Sequence, residues 1–258
     1  MVLRREGDSA VVAIGQPAHA WLSGQLARAW GNERFGPVEP REEVCLAAEQ
    51  HDIGMAAWDT APTLNRETGL PHSFMEMPVE THVELWGRAW ELALPQSRYA
   101  ALLVSMHGTA LYGMRDLQKL DEREAELVRR YLDQQRGVQK ELLSTLTDTS
   151  AVSRNQRLVW TWDAFSLALC LDWPPNTLHA VPAADGGEVD VELAPAGPLR
   201  VAIEPWPFSR ETVHVRTEGR RLEGRFDSED DMRAALRDAD WTALEFELVP
   251  GAGANSTA

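Results

Sequence analysis

Apolar residues recur three or four positions apart over most of the first 171 residues, which is the spacing of an amphipathic helix. Proline, glycine and asparagine interrupt this pattern, most densely over 59–78, which we interpret as a loop. The stretch 155–171 is apolar on nearly all sides, so we expect it to be the central helix. The predicted helices cover 17–30, 40–51, 79–94, 98–112, 116–146 and 155–171.

Beyond residue 174 the pattern changes to an alternation of apolar and polar residues, which is typical of half-buried strands. A tight turn is predicted at 218–220, a short helix at 228–237, and one further strand near the start of the chain at 11–14. We therefore expect a mainly α protein, with a helical domain over 1–174 and a small antiparallel β region over 175–258, α+β overall. The strands predicted in that region cover 189–193, 199–204, 212–217, 221–226 and 242–249.

The charge of the chain narrows the class of partner. The formal net charge is −15, from 40 acidic and 25 basic residues, which argues against nucleic acid or an anionic membrane as partner. Only Lys119 and Lys140 are lysines, so an anionic substrate would need arginine, backbone N–H groups or a metal. Neither a secretory signal nor an apolar run long enough to span a bilayer is apparent, and the two cysteines, Cys45 and Cys170, suit buried thiols. We expect a cytoplasmic protein.

Six residues are candidate metal ligands. The pair His51-Asp52 lies where a helical pattern meets Gly54, and the other candidates fall on apolar helical faces. A carboxylate on a helix as apolar as 155–171 requires a partner, because an isolated buried charge is costly. Imidazole and carboxylate together suit one or two divalent ions, with iron and manganese the first expectations. The candidates are His19, His51, Asp52, His82, His107 and Asp163.

Three further residues are candidates for a substrate pocket beside this centre. Trp58 and Arg66 follow the His-Asp pair, and His72 lies in the predicted loop. His72 is also a rival or additional ligand. Asp52 and His107 are the residues that we expect to take part directly in catalysis.

The order of these ligands resembles the HD superfamily of metal-dependent hydrolases over roughly residues 15–172. An early histidine, a His-Asp pair, two separated histidines and a late aspartate resemble its binuclear members, in which the aspartate of the pair bridges two metals. The resemblance implies an HD-like helical domain. The chain departs from the HD pattern at one position that bears on phosphate binding. Many HD phosphohydrolases carry a lysine shortly after the His-Asp pair to hold phosphate, and this chain has Met55 there.

Over nearly its full length the chain also resembles the uncharacterised family known as domain of unknown function 3891. The resemblance rests on several short motifs and implies no established activity. The motifs are His51-Asp52-Ile53-Gly54, Trp58-Asp59, Ser73-Phe74, Ser105-Met106-His107, the run 163–167 and Pro205-Trp206-Pro207-Phe208.

Three functions remain open from the sequence. The first is an HD-type hydrolase that acts on a phosphoester or other small anion through a metal-activated water. The second is a binuclear iron oxygenase of HD-like type, which the missing lysine favours. The third is a helical protein that binds a ligand or partner without catalysis. We expect a small-molecule substrate, no nucleic-acid or membrane partner, and pairing into a homodimer as one option for the oligomeric state.

Overall fold

The computed structural model describes residues 1–7 and 9–251. Over most of the predicted helical region the helices begin and end within three residues of the predicted positions. The helices are α1 (Gln16–Ala29), α2 (Arg41–Gln50), α3 (Ala56–Thr60), α4 (Val79–Gly87), α5 (Ala89–Ala93), α6 (Arg98–Gly113), α7 (Glu122–Ser144), α8 (Val152–Cys170) and α9 (Glu229–Asp238).

Seven of the strands form one curled mixed sheet in the order β1-β2-β8-β9-β7-β6-β5, and β3 pairs with β4 in a separate short hairpin. Within the large sheet β7 and β9 run parallel, and the other neighbours run antiparallel. The strands are β1 (Val2–Glu6), β2 (Ala10–Ile14), β3 (Leu64–Asn65), β4 (Leu70–Pro71), β5 (Asn176–Pro182), β6 (Glu188–Gly197), β7 (Arg200–Glu204), β8 (Val213–Glu223) and β9 (Trp241–Pro250).

The expected fold class, a mainly α HD-like domain followed by a small antiparallel β region, is wrong. Helices take 48% of the structure and strands 24%, so the sheet is a principal part of the fold rather than an appendage. The first two strands enter this sheet because β2 pairs with β8, with Ala10 opposite Glu223 and Ala13 opposite Arg220. The predicted boundary between two domains at residue 174 stays a prediction.

The strand β8 runs without interruption through 218–220, where the sequence predicted a tight turn. Gly219 is required there by a close approach to the neighbouring strand. A Cβ atom at this position would lie 2.5 Å from Cγ1 of Val12 and 2.9 Å from the carbonyl oxygen of Ala13. The glycine therefore permits β8 to pack against β2 and does not end the strand.

The largest hydrophobic core joins helices to the sheet. It contains Leu22 and Leu26 from α1, Trp162 and Phe165 from α8, and Ile203 from β7, all fully or almost fully buried. Helix α1 packs against α2, α8 and β8, while α8 also contacts α6, β5 and β1. This confirms the prediction that the apolar stretch 155–171 is a central helix.

A second core lies between α4, α6 and α7. It includes Val83, Trp86, Tyr112 and Val128. The predicted helix 79–94 is divided here into α4 and α5, because Arg88 adopts φ −109° and ψ −5°. Within residues 1–7 and 9–251, no helix combines the length and the apolar character needed to cross a bilayer.

Candidate metal centre

Five of the six predicted ligands converge at one place, although they come from four parts of the chain. His19 lies on α1, His51 and Asp52 follow the last turn of α2, His107 lies on α6, and Asp163 lies on α8. Their ligand atoms form two overlapping groups with all atoms in each within 4.8 Å of one another: His19, His51 and Asp163 in one, and His51, Asp52 and His107 in the other. The geometry therefore suits a shared centre.

The shortest separations involve His19 and His51. Their Nε2 atoms lie 3.2 Å apart, and His19 Nε2 lies 3.0 Å from Oδ2 of Asp52. His51 Nε2 lies 3.4 Å from Oδ1 of Asp163 and 3.6 Å from Oδ2 of Asp52. His107 Nε2 lies 3.6 Å from Oδ2 of Asp163, so that carboxylate faces histidines on both sides.

All five side chains are buried. The exposed fraction is 0% for His19, 1% for His51, 2% for His107, 3% for Asp52 and 7% for Asp163. Two carboxylates at this depth require compensation, because burying an unpaired charge is costly. The remaining exposure of Asp163 marks the side on which the cluster comes nearest to solvent.

Two histidines are held so that their Nε2 atoms face the cluster. Nδ1 of His51 lies 2.8 Å from the carbonyl oxygen of Ala48, which can only accept, so Nδ1 carries the hydrogen. Nδ1 of His19 lies 2.7 Å from Oγ of Ser166, whose own hydroxyl donates to the carbonyl of Asp163 at 2.9 Å. Nδ1 of His19 is therefore also the donor. Such contacts fix the tautomer of metal-binding histidines.

The histidines of the cluster differ in pKa because their electrostatic surroundings differ. Burial opposes a charge on His51, but the Asp52 and Asp163 carboxylates outweigh it and raise the pKa of His51 to about 9. Burial, followed by the charge on His51, lowers the pKa of His107 to about 4. The neighbouring histidines hold the pKa of both aspartates below the usual value despite burial. Without a metal, the cluster therefore keeps one proton on His51 between two carboxylates.

The residues fit a divalent metal. Oδ1 of Asp52 is buried and has no hydrogen-bond partner among the described residues. Nε2 of His19 and Nε2 of His51 face each other at 3.2 Å, so both nitrogens are available to one cation once His51 has lost its proton. A donor set of imidazole nitrogens and carboxylate oxygens without sulfur suits iron, manganese or zinc.

Two supporting contacts were not predicted from the sequence. Gln16 Nε2 donates to Oδ2 of Asp52 at 2.9 Å, and its backbone N–H donates to the Asp59 carboxylate. Ser166 supports His19 as described above. A helical spacing of three gives the signal in both cases, since Gln16 precedes His19 and Ser166 follows Asp163 by three positions.

The structure does not bring His82 into the cluster. Its Nδ1 lies 2.9 Å from the hydroxyl of Tyr112, and its ring centroid lies 4.3 Å from that of Trp86. Burial lowers the pKa of His82 to about 4, so it is neutral inside the second core. The same helical face that made His82 a candidate ligand instead packs it among aromatic rings. A binuclear centre therefore lacks one of its predicted ligands.

The three predicted pocket residues also lie outside both ligand groups. Trp58 packs half-buried on α3 against the second core, and Arg66 is exposed in the turn of the β3–β4 hairpin. Nδ1 of His72 lies 2.8 Å from Oγ1 of Thr63, which joins the start and end of that hairpin. His72 is thus placed by the hairpin and not by the cluster, and the role of the three in a pocket stays a prediction.

A family model described as "Protein of unknown function (DUF3891)" matches residues 1–224. The chain belongs to this family. The matched region of this DUF3891 protein runs from β1 through β8 and contains all five clustered residues. No curated protein and no solved structure matches the chain. The His/Asp cluster only weakly hints at the ligand pattern of HD hydrolases, and no comparison matches that superfamily.

Proposed function

We propose that this DUF3891 protein is a metal-dependent hydrolase acting on a small molecule. The observation that carries the proposal is the convergence of three histidines and two aspartates from four parts of the chain, all at most 7% exposed. A fold that only needed to bury histidines would satisfy each with a hydrogen bond to an uncharged group, as it does for His82. Bringing two carboxylates to the same buried place favours a cation.

The contacts favour one ion, and we keep iron or manganese as the expected metal. His19, His51, Asp52 and Asp163 would hold it, since their atoms make the closest approaches. His107 lies beside Asp163 and would be a fifth ligand or a neighbour. The support for a second ion is weaker, because His82 bonds to Tyr112.

A bound divalent metal supplies a more acidic water and a positive charge opposite the charge that develops during hydrolysis. The chain itself supplies placement. Ala48 and Ser166 fix the rings of His51 and His19, and Gln16 fixes the Asp52 carboxylate. Nδ1 of His107 is buried without a partner among the described residues, so it offers a hydrogen-bonding atom to a substrate. We keep Asp52 and His107 as the proposed catalytic residues.

The surroundings of His107 exclude bulk water. Its ring centroid lies 6.0 Å from that of Trp86 and 5.8 Å from that of Trp160. Trp86 is buried and Trp160 half-buried, so one ring closes the interior side while the other reaches toward solvent. A dry, aromatic boundary strengthens the electrostatic interactions within the cluster.

The test is hydrolysis by the full-length protein after loading with manganese or iron. We expect turnover of small activated substrates that disappears on chelation and returns when the metal is restored. Asp163→Asn is expected to abolish it. Asp190→Asn is the matched control, because Asp190 also pairs with a histidine, His179, at 3.0 Å but on the surface.

Two results would contradict the proposed hydrolase function. Activity that survives in Asp163→Asn at the wild-type rate would show that the cluster is not the site. Consumption of dioxygen by the iron-loaded protein with no hydrolysis would instead support the oxygenase alternative.

A further inference from the structure

Gln16 is buried beside the candidate metal centre with only half of its side-chain amide paired. Its Nε2 donates to Oδ2 of Asp52 at 2.9 Å. The orientation of the amide follows from this contact, because a carboxylate cannot donate and would repel Oε1. Oε1 of the same planar amide is therefore the remaining atom, and it is buried without a partner among the described residues. The side chain is held in place but left one hydrogen bond short.

Other glutamines of this protein show how the fold satisfies both ends of such an amide. Gln135, fully buried on α7, accepts from Ser105 Oγ at 2.7 Å and donates to the Gly87 carbonyl at 3.1 Å. Gln25, on the same helix as Gln16, accepts from the backbone N–H of Arg216 at 3.0 Å and donates to its carbonyl at 2.8 Å. Leaving a buried carbonyl without a hydrogen-bond partner destabilises the folded protein. At Gln16 this points to a donor that comes from outside the chain.

The charges near the centre do not favour an anion. Within residues 1–7 and 9–251, the positively chargeable side chains within 4.0 Å of the Asp52 and Asp163 carboxylates are histidines alone. Histidines bind a metal in the neutral form, so two carboxylates and a divalent ion leave no net positive charge. Met55, three positions after Asp52, is fully buried in the second core, so this position offers no cation.

We propose that the centre takes an uncharged amide-type substrate whose N–H donates to Oε1 of Gln16, and not a phosphoester. This inference rests on the proposed hydrolase function and narrows its substrate class. Gln16 acts in two directions: Nε2 positions Asp52, and Oε1 selects a substrate with a donor next to the reacting carbonyl. A phosphoester offers neither an N–H group nor a charge that the centre can neutralise.

Hydrolysis of such an amide is balanced without any further reactant. The oxygen of water joins the carbonyl carbon, and the C–N bond breaks with its electron pair passing to nitrogen. The nitrogen takes the proton that water releases, so the products are a carboxylic acid and an amine.

The experiment compares three probes on the full-length protein loaded with Mn²⁺. Acetohydroxamate carries an amide N–H, N-methylacetohydroxamate lacks it, and inorganic phosphate represents the excluded class. Calorimetry of the wild type should show acetohydroxamate binding about tenfold tighter than its N-methyl derivative, since a lost hydrogen bond to a buried partner costs about 1–2 kcal/mol. Phosphate should bind more weakly than acetohydroxamate.

Gln16→Met removes both polar atoms at similar length, and Gln25→Met is the matched control on the same helix. The preference for the N–H probe should fall to about onefold in Gln16→Met and stay near tenfold in Gln25→Met. Using a ratio of two probes cancels any change in metal affinity. The ratio of the two probe affinities is also measured in the wild type alone. The inference can therefore be contradicted even if Gln16→Met folds poorly.

The failures can be distinguished. If the wild type binds no metal, the proposed function fails and this inference fails with it. If metal binds but phosphate is preferred, or the probe preference is the same in Gln16→Met as in the wild type, only the substrate class is contradicted.

Discussion

His51 faces two carboxylates, Asp52 and Asp163, and this environment determines how the cluster responds to pH. The raised pKa of about 9 means that metal-free protein keeps a proton on His51 through the neutral range. A metal ligand must be deprotonated, so binding displaces this proton. Affinity for the metal therefore increases as pH rises toward 9 and falls as pH is lowered.

We predict that Mn²⁺ binding at pH 7 releases close to one proton and that its association constant rises about tenfold per pH unit between pH 6 and pH 8. Calorimetry in buffers of different ionisation enthalpy measures the released proton. His179→Gln, which alters an exposed histidine paired with Asp190, should leave the value unchanged. Binding without proton release would show that His51 is not a ligand.

His82 provides the opposite case, a buried histidine held neutral. Its pKa is lowered to about 4, so the unfolded chain binds the proton more readily below pH 6.5 and stability is lost as pH falls from 6.5 toward 4. His82→Asn should remove this contribution, which amounts to about 2 kcal/mol between pH 7 and pH 5.

Urea unfolding of wild type and His82→Asn at the two pH values measures the difference. The same samples should retain equal amounts of metal, because His82 lies outside the ligand groups. Loss of metal from His82→Asn in a folded protein would restore the binuclear interpretation.

The residue types of the centre were predictable, while their partners were not. Histidines and an aspartate on apolar helical faces require an explanation in any fold, and five of six converge. Gln16 escaped prediction because a polar residue near a helix start is common. The difference between His82 and the rest depends on Tyr112, thirty positions away on another helix, and periodicity carries no information about such contacts.

At the scale of elements, the junction after α2 places the His-Asp pair. The chain leaves the helix at Gln50 and tightens into a short helical turn over Ile53–Met55, which packs against α4 and α5. Gly54 permits this contact, because a Cβ atom there would lie 2.5 Å from the carbonyl oxygen of Leu85 and 3.0 Å from Cβ of Ala89. The sequence signal for Gly54 was a helix end, and the structure adds the close approach.

Gly54→Ala should therefore lower the melting temperature and weaken metal binding, since the turn carrying Asp52 must move away from α4. Gly137→Ala is the matched control: Gly137 is exposed on α7 with nothing within 4 Å of an added Cβ. That substitution should stabilise the protein by about 0.5–1 kcal/mol. Equal effects from the two alanines in thermal denaturation would contradict the packing described.

Helical periodicity located most helices because each buries one face, but it could not show where a helix is interrupted. Arg88 divides the predicted helix 79–94 without proline or a positive φ. Gly87 directly before it is a local signal, but the helical periodicity continues through this glycine. The opposite error occurs in β8, where the sequence predicts a turn and the strand is continuous. Gly219 is typical of turns, but here it is required by the contact with Val12.

At the scale of the molecule, the sheet and the helices that carry the centre depend on each other. Strand β2 pairs with β8, and β8 holds α1 through Thr217 Oγ1, which donates to the Ala18 carbonyl at 2.9 Å. The fold class was mispredicted because these partners lie about 200 residues apart in sequence, and alternation identifies a strand without identifying its neighbour.

A chain cut after residue 174 should consequently fail to form the centre. It would lose β8, and with it the pairing between β2 and β8 and the contact to α1 directly before His19. We expect a fragment with reduced helix content and no metal, as measured by circular dichroism and elemental analysis. A folded fragment that binds metal would instead confirm the predicted domain boundary.

The central claim is that His19, His51, Asp52, His107 and Asp163 form one metal centre. The most direct test is elemental analysis of the full-length protein purified without a histidine tag, beside Asp163→Asn and Asp190→Asn. We expect about one iron or manganese ion per chain in the wild type and in Asp190→Asn, and a loss of nearly all metal in folded Asp163→Asn. Metal-free wild type after reloading, or full occupancy in Asp163→Asn, would contradict it.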